Sequence, residues 1–314
     1  MKILITGGAG FIGSHLSDRL LERGDKVLVI DNFATGRHDN LKEHPNLTVI
    51  EDTVADTSLI HRLFDEFRPD QVVHAAASYK NPDNWAEDVR TNILGTANVT
   101  QSAQQNGVKR LIYFQTALCY GLQPIEQPIK LSHPLRSESS SYAISKTAGE
   151  NYIQLSSLDF ISFRLANAYG PRNLSGPLPT FYQRLTNSKP SFVMDTRRDF
   201  IYIDDLIAVA IKALDGKGER GFYHISSGSD YSIKELFDAT VNALGIELED
   251  QVEVRPRHPD DAFTILLDPS KTNRDFDWQV STPLSEGVQA AIKYYDEYGI
   301  AETYTHLRIE GAEH

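Results

Sequence analysis

The sequence predicts an α/β protein, a doubly wound parallel sheet joined to a smaller α/β lobe that would hold a substrate. Three observations lead there. A short apolar run at 2–6 passes directly into Gly7-Gly-Ala-Gly-Phe-Ile-Gly13 and then into an amphipathic stretch at 14–23, which reads as strand, turn and helix. The apolar runs that follow alternate with helical patterns, and strands separated by helices imply right-handed crossovers and a parallel sheet. Finally, 314 residues of which 40% are hydrophobic suffice for one large α/β unit plus a smaller lobe.

The elements follow in order. Gly7 allows the tight turn after the first strand, and Gly10 lets backbone approach a pyrophosphate. Gly13 permits close packing of helix on strand, leaving the helix N-terminus to face the phosphates, with Phe11 and Ile12 of the loop among the cofactor-binding residues. The next strand, 26–30, ends at Asp31 and Asn32. A carboxylate at that point accepts hydrogen bonds from both hydroxyls of an adenosine ribose and repels a 2′-phosphate, so NAD rather than NADP is the expected cofactor. Strand 47–51 and helix 59–67 come next, then strand 71–75, where His74 lies in an apolar run and reads as a packed core residue. Helix 85–105, strand 110–115, helix 142–155 and strand 160–165 complete the alternation. After 165 the character changes, because 166–201 is rich in Pro, Asn and Arg and reads as a long loop system opening the second lobe. Helix 204–214 returns to the first lobe, with Asp204 and Asp205 as expected helix caps, and 221–225, 232–244 and 285–295 build the second. The domains so read are 1–165 with about 202–216, and 166–201 with 217–314. The polar end, 309–314, is expected to be disordered.

Composition excludes several classes. A formal charge of -12, from 31 basic and 43 acidic residues, argues against nucleic acid or an anionic membrane as partner. An anionic ligand must therefore meet local positive charge. One cysteine rules out an internal disulfide framework, and no paired Cys/His spacing suggests zinc, so no metal is expected. No apolar stretch approaches the roughly 18 residues of a membrane span. The N-terminus enters the glycine loop too early for a signal peptide, and a cytoplasmic enzyme is the expectation.

The chemistry is carried by Ser-Ser-Tyr-Ala-Ile-Ser-Lys at 140–146. A phenol begins with a pKa near ~10, so acting as a base near pH 7 takes roughly 4 kcal/mol of differential stabilisation. Tyr142 and Lys146 are one helical turn apart, so the ammonium reaches the phenol oxygen, and a positively charged nicotinamide would add to it. By itself Tyr-x-x-x-Lys is common, and a packed tyrosine with a solvated lysine is the ordinary reading. The glycine loop upstream makes the pair a candidate catalytic base.

Taken together the motifs resemble an extended short-chain dehydrogenase/reductase of the NAD-dependent nucleotide-sugar epimerase/dehydratase family. The matching segments cover nearly the whole chain: the glycine loop, His74-Ala-Ala-Ala77, Thr91-Asn-Ile-Leu-Gly-Thr96, Thr116-Ala-Leu-Cys-Tyr-Gly121, Tyr142 with Lys146, Arg164-Leu-Ala-Asn-Ala-Tyr-Gly-Pro-Arg172, Arg198-Asp-Phe200 and Asp268-Pro-Ser-Lys271. The likeness is strongest to enzymes of bacterial O-antigen and surface-polysaccharide pathways. It implies a Rossmann-type dinucleotide-binding domain and a nucleotide-sugar-binding lobe. On the cofactor side it implies Ala75, Ala76, Ala77 and Asn92, with Asp52 and Thr53 at the adenine edge. An ordinary strand-terminal acid reads nearly as well at Asp52.

The resemblance further implies that Thr116 hydrogen-bonds the reacting sugar oxygen, that Tyr142 takes its proton, and that Lys146 holds the nicotinamide ribose. The 4-keto sugar so formed turns over and regains the hydride on its other face, inverting C4. Family branches that eliminate water or decarboxylate carry acids after the threonine, whereas here Ala117 and Leu118 stand there and move no proton. Cys119 is offset by one residue from the position at which other branches use a cysteine, and is read as a buried structural residue. Arg198 and Arg257 match positions that clamp a diphosphate, with salt bridges to Asp199 or Asp260 as the alternative. Asn167 matches an asparagine near that diphosphate. Leu178 and Phe181 are expected walls for the nucleobase. Ser78 faces the sugar with Tyr79 and Lys80, and Lys80 reads either as an exposed lysine or as a contact to a C6 carboxylate. The reading is a C4 epimerase of a UDP-sugar, homodimeric through helices 85–105 and 142–155. A 4-keto-sugar reductase shares every catalytic residue, and a non-catalytic dinucleotide sensor would lack Tyr142 or Lys146.

Overall fold

The computed structural model describes residues 1–257, 261–300 and 302–304; the tail at 309–314 and Asp260 lie outside the described residues. Chain order begins with β1 (Lys2–Thr6), α1 (Phe11–Glu22), β2 (Lys26–Asp31), β3 (Leu47–Glu51), α2 (Thr57–Phe67) and β4 (Gln71–His74). It continues through α3 (Trp85–Asp88), α4 (Thr96–Gln105), β5 (Arg110–Thr116), α5 (Ser141–Leu155) and β6 (Phe160–Leu165). The remainder comprises β7 (Asn167–Tyr169), α6 (Pro177–Thr186), β8 (Phe192–Met194), β9 (Arg197–Arg198), β10 (Phe200–Tyr202) and α7 (Ile203–Leu214). Last come β11 (Gly221–Ile225), β12 (Tyr231–Ser232), α8 (Ile233–Leu244), β13 (Glu253–Arg255), α9 (Ser270–Phe276) and α10 (Leu284–Tyr298).

Seven parallel strands form the main sheet in the order β11-β6-β5-β4-β1-β2-β3. Strand order reverses between β1 and β4, and the carboxyl ends of strands beside such a switch point open onto a crevice where ligands bind. The period-2 alternation of a strand divides its side chains between two apolar layers. Ile3, Ile5, Val73 and Ile112 pack on one face, while Leu4, Val72, Leu111 and Tyr113 pack on the other. The first layer is continuous with the core of the second lobe, where α6 and α10 both pack on α8.

Three expectations are corrected. The strand at 221–225 does not build the second lobe: it pairs with β6 from Gly221↔Ile161 to Ile225↔Leu165 and forms the edge of the main sheet. Its apolar residues signal burial but not which strand they bury against. The stretch 166–201 is not merely loop, because Pro177 occupies the first turn of α6, where a missing N–H costs nothing and a fixed φ favours the helix. Asp204 and Asp205 stand in the first turn of α7 and do not cap it, since Tyr202 is the N-cap residue. Asp205 instead accepts hydrogen bonds from Ser281 N (3.0 Å), Ser281 Oγ (2.7 Å) and Thr282 N (3.0 Å), fastening the approach to α10.

Residues 85–105 are helical throughout, but a π-helical segment, Val89–Gly95, separates α3 from α4. Such segments often mark functional sites, and this one carries Asn92.

Candidate active site

On the nucleotide side, Gly7 has φ +68° and a Cβ there would lie 2.6 Å from Ala76 N, so only glycine lets the turn touch the segment that follows β4. Gly10 is the N-cap of α1 and supplies no side-chain cap, leaving first-turn N–H groups to a ligand. Asp31 ends β2 with one carboxylate oxygen accepting Ala9 N at 2.9 Å and the other Phe33 N at 2.8 Å. Burial pushes its carboxyl up, and the amides of Phe33, Ala9 and Gly10 oppose this. Each oxygen keeps a second acceptor position, so Asp31 first shapes the loop and still has capacity for ribose hydroxyls. Asn32 Oδ1 accepts Ala34 N, while Asp52 accepts Thr53 N at 2.7 Å and sends its own N–H to Asp31 O. These groups fit a dinucleotide. Replacing Asp31 by Asn is expected to weaken NAD+ binding by about tenfold while raising the relative affinity for NADP+, since the carboxylate that repels a 2′-phosphate is gone. Titration calorimetry with both cofactors checks this.

Ala75 and Ala76 send their N–H groups to Thr6 O and Thr6 Oγ1, and Ala77 continues the same loop towards Ser78. His74 is wholly buried between Thr6 Oγ1 (2.6 Å) and Thr96 Oγ1 (2.8 Å), and burial lowers its pKa to about 3. It is a neutral packing residue. Asn92, on the π-helical segment, accepts Ser78 N at 2.9 Å and donates to Ser78 O (3.1 Å) and Ser145 Oγ (3.0 Å). One side chain thereby joins the loop after β4 to the helix that carries Tyr142 and Lys146.

That helix is α5, capped by Ser140, whose hydroxyl accepts Ala143 N at 3.1 Å. It approaches the π-helical segment so closely that a Cβ on Gly149 would lie 2.7 Å from Asn92 O. Tyr142 meets Tyr79 edge to face, with ring centroids 6.4 Å apart. Burial pushes its phenol above the ordinary value, with Tyr79 and then Asp88 adding to the rise. Lys146 is 2% exposed, its Nζ 4.0 Å from the Tyr113 ring centroid. Burial lowers its pKa to about 7, against which Glu150 pulls upward. The chain's own groups thus hold the phenol protonated. The burial that raises Tyr142 also weakens the charge on Lys146, one helical turn away on α5.

Thr116 closes β5 and caps a short 3-10 turn, Ala117–Tyr120, its Oγ1 accepting Leu118 N at 3.2 Å. Cys119 therefore lies on a turn and not on an extended segment, which replaces the alternation argument, yet it is wholly buried and burial pushes its thiol well up.

On the substrate side, β7 and β10 pair so that Asn167 faces Phe200, and Asn167 Nδ2 donates to Asp199 O at 3.3 Å. This ties Asn167 to the residue that follows Arg198 in the chain. Arg198 donates to Asp261 Oδ1 (2.6 Å) and to Ala262 O, and Arg257 donates to Asp261 O at 3.0 Å. The two guanidiniums thus share one residue, Asp261, and Asp199 points elsewhere, to Ser226 and Ser227. Leu178 and Phe181, the expected nucleobase walls, are both buried in the core, and Phe181 packs edge to face on Phe237 of α8 at 5.1 Å. The Phe181 ring thereby joins α6 to α8. Lys80 pairs with Glu302 at 3.2 Å and lies over the Tyr304 ring.

Tyr79, read on the loop that faces the sugar, lies against the Tyr142 ring; residues given no role in the sequence reading are Asp261 between the arginines, and Glu150 with Arg164 behind Lys146. The last pair had a signal, since Glu150 repeats the four-residue spacing of Tyr142 and Lys146, and Arg164 is a charge inside an apolar strand. Nothing in sequence marks Asp261.

A glycine loop on a switch-point strand and a Tyr/Lys pair on the facing helix define a dinucleotide-dependent enzyme of the short-chain dehydrogenase type. A family model described as the NAD dependent epimerase/dehydratase family matches residues 3–226, and the chain belongs to that family. It is 54% identical to the Bordetella bronchiseptica enzyme WbmH, crystallised with NAD+, over 95% of this chain and 99% of that one, with a TM-score of 0.92. It is 45% identical to WbmG of the same organism, crystallised with NAD and UDP, over 98% of each chain, with a TM-score of 0.91. Among curated proteins, a UDP-glucose 4-epimerase of Mycolicibacterium smegmatis is 29% identical over 313 residues, 94% of this chain and 98% of that protein.

Proposed function

We propose that the protein is an NAD-dependent epimerase inverting C4 of a UDP-linked hexose, N-acetylhexosamine or corresponding uronic acid through a transient 4-keto sugar. NAD, when bound, takes the hydride from C4 and returns it, so it is not consumed. Thr116 would hold the sugar C4 oxygen by hydrogen bond, and Tyr142 would remove its proton and later give it back. Lys146 would hold the ribose and share its positive charge with the phenolate. Arg198, Arg257 and Asn167 would bind the diphosphate, supplying the local positive charge that an acidic chain needs.

The observation that carries this reading is the turn after Thr116. Ala117 and Leu118 offer no acid or base beside the sugar, so a second proton transfer, as elimination or decarboxylation requires, has no agent there. A homodimer is part of the proposal. Trp85 (63% exposed), Val89, Ile144, Tyr152 and Leu155 (82% exposed) form apolar outer surfaces of the helical run 85–105 and of α5, where a second copy would cover them. A role in surface-polysaccharide synthesis rests on the resemblance alone.

The test is product analysis with UDP-glucose, UDP-N-acetylglucosamine and their uronic acids, using catalytic NAD+ and no reductant. A C4 epimer is expected from at least one. Conversion only of a keto sugar with stoichiometric reduced cofactor would make the protein a reductase.

A further inference from the structure

Behind the catalytic lysine lies a charge pair outside the roles proposed above. Glu150 is one turn beyond Lys146 on α5, and it and Arg164 of β6 are both buried. Glu150 Oε1 accepts Ser162 Oγ at 2.5 Å and Arg164 Nε at 3.3 Å, and Oε2 accepts Arg164 Nη2 at 2.8 Å. Arg164 Nη1 donates to Tyr120 Oη at 2.8 Å, Tyr120 Oη is 2.6 Å from His224 Nε2, and His224 Nδ1 is 3.0 Å from Asp268 O. Ser162 and Arg164 of β6 thus hold the carboxylate, and Tyr120 of the turn after Thr116 and His224 of β11 hold Arg164 in turn. Replacing such a pair with apolar residues often costs nothing, so its presence is weakly explained by stability. Lys146 explains it better, because a fully desolvated ammonium loses its proton unless a negative charge stays near.

We propose that Glu150 is the positioning residue that keeps Lys146 protonated, and that Arg164 and Ser162 fix its carboxylate one helical turn behind the lysine. The other titratable groups around Lys146 do not do this. His74 on β4 is neutral, the Tyr113 phenol on β5 and the Cys119 thiol on the turn are pushed up by burial, and so is Tyr120. Tyr142 on α5 is the lysine's partner in the reaction, and Asp88 on α3 acts on Tyr142. Glu87 and Arg90, on the outer helices, are respectively half-buried and exposed. The tautomer is consistent throughout: Arg164 donates to Tyr120, so the Tyr120 hydroxyl is free to donate to a neutral His224, whose pKa burial lowers to about 4.

This rests on the reading of Lys146 as catalytic, but its test does not need turnover. In full-length protein carrying lysine labelled at Cε, the Lys146 resonance, assigned by its loss in Lys146→Arg, is titrated against pH. Glu150→Gln should move its midpoint down by about one pH unit or more, as expected on removing a nearby opposite charge. Glu150→Gln leaves Arg164 buried without its partner, so Glu150→Gln/Arg164→Met supplies the same measurement in a chain with neither charge. A lowered midpoint in the double variant supports the proposal even if the single variant does not fold. An unchanged midpoint in the double variant overturns it, because the pair would then cancel at the lysine. Where epimerisation is detected, the alkaline limb of its pH profile should move down with the resonance. Failure of the epimerase reading would leave the resonance shift intact.

Discussion

Tyr142→Phe is expected to lower turnover by about 10²- to 10⁴-fold, the usual share of a positioned acid or base, while leaving NAD+ affinity within a few-fold. Burial, with Tyr79 and Asp88 beside it, holds the proton on the phenol, and Ala117 and Leu118 after Thr116 offer no base to replace its oxygen. The ring itself packs against Tyr79, and phenylalanine preserves that packing. The fold is therefore expected to survive with its melting temperature little changed. Single-turnover measurements with NAD+ and the substrate found by product analysis check the rate, and calorimetry checks the affinity. A variant with wild-type turnover would remove Tyr142 from the chemistry.

Gly10→Ala and Gly13→Ala are expected to fail differently, and the difference separates binding from folding. A Cβ on Gly10 meets only Gly7 O, at 3.3 Å, and otherwise open space. The fold tolerates it, but the methyl occupies the approach that a pyrophosphate would take to the N-terminus of α1, so NAD+ affinity should fall by at least about tenfold. A Cβ on Gly13 would lie 2.2 Å from Gly7 O and 2.7 Å from Gly8 Cα. Backbone cannot yield as a side chain does, so the helix must separate from its strand and both stability and binding should drop, stability by about 1–3 kcal/mol. Thermal melts beside NAD+ titrations distinguish the two. Equal melting temperatures for both variants would refute the packing role of Gly13.

Much of the first lobe was legible because its signals are local. A glycine loop needs particular backbone conformations and close approaches at consecutive positions, so Gly7, Gly10 and Gly13 are readable from neighbours alone, as are the apolar strands and the one-turn spacing of Tyr142 and Lys146. Where the reading failed, the deciding contact was distant in sequence. Strand 221–225 carries no mark of its partner, and it joins β6 because that strand otherwise exposes an unpaired edge. Phe181 gives no sign in the sequence that its ring packs on Phe237 of α8, which follows it by dozens of residues.

The sequence by itself determined the parallel α/β architecture, the glycine loop, the acid at the end of β2 and the one-turn spacing of Tyr142 and Lys146, since each is written in periodicity or short spacing. Only the tertiary structure decided the electrostatic state of that pair. It buries Lys146 and Tyr142 together, weakening the one charge and raising the other group, and it sets Glu150 behind the lysine under the grip of Arg164 and Ser162. Charge in a protein depends on which groups are removed from water side by side, and that is a property of packing, to which chain spacing is blind.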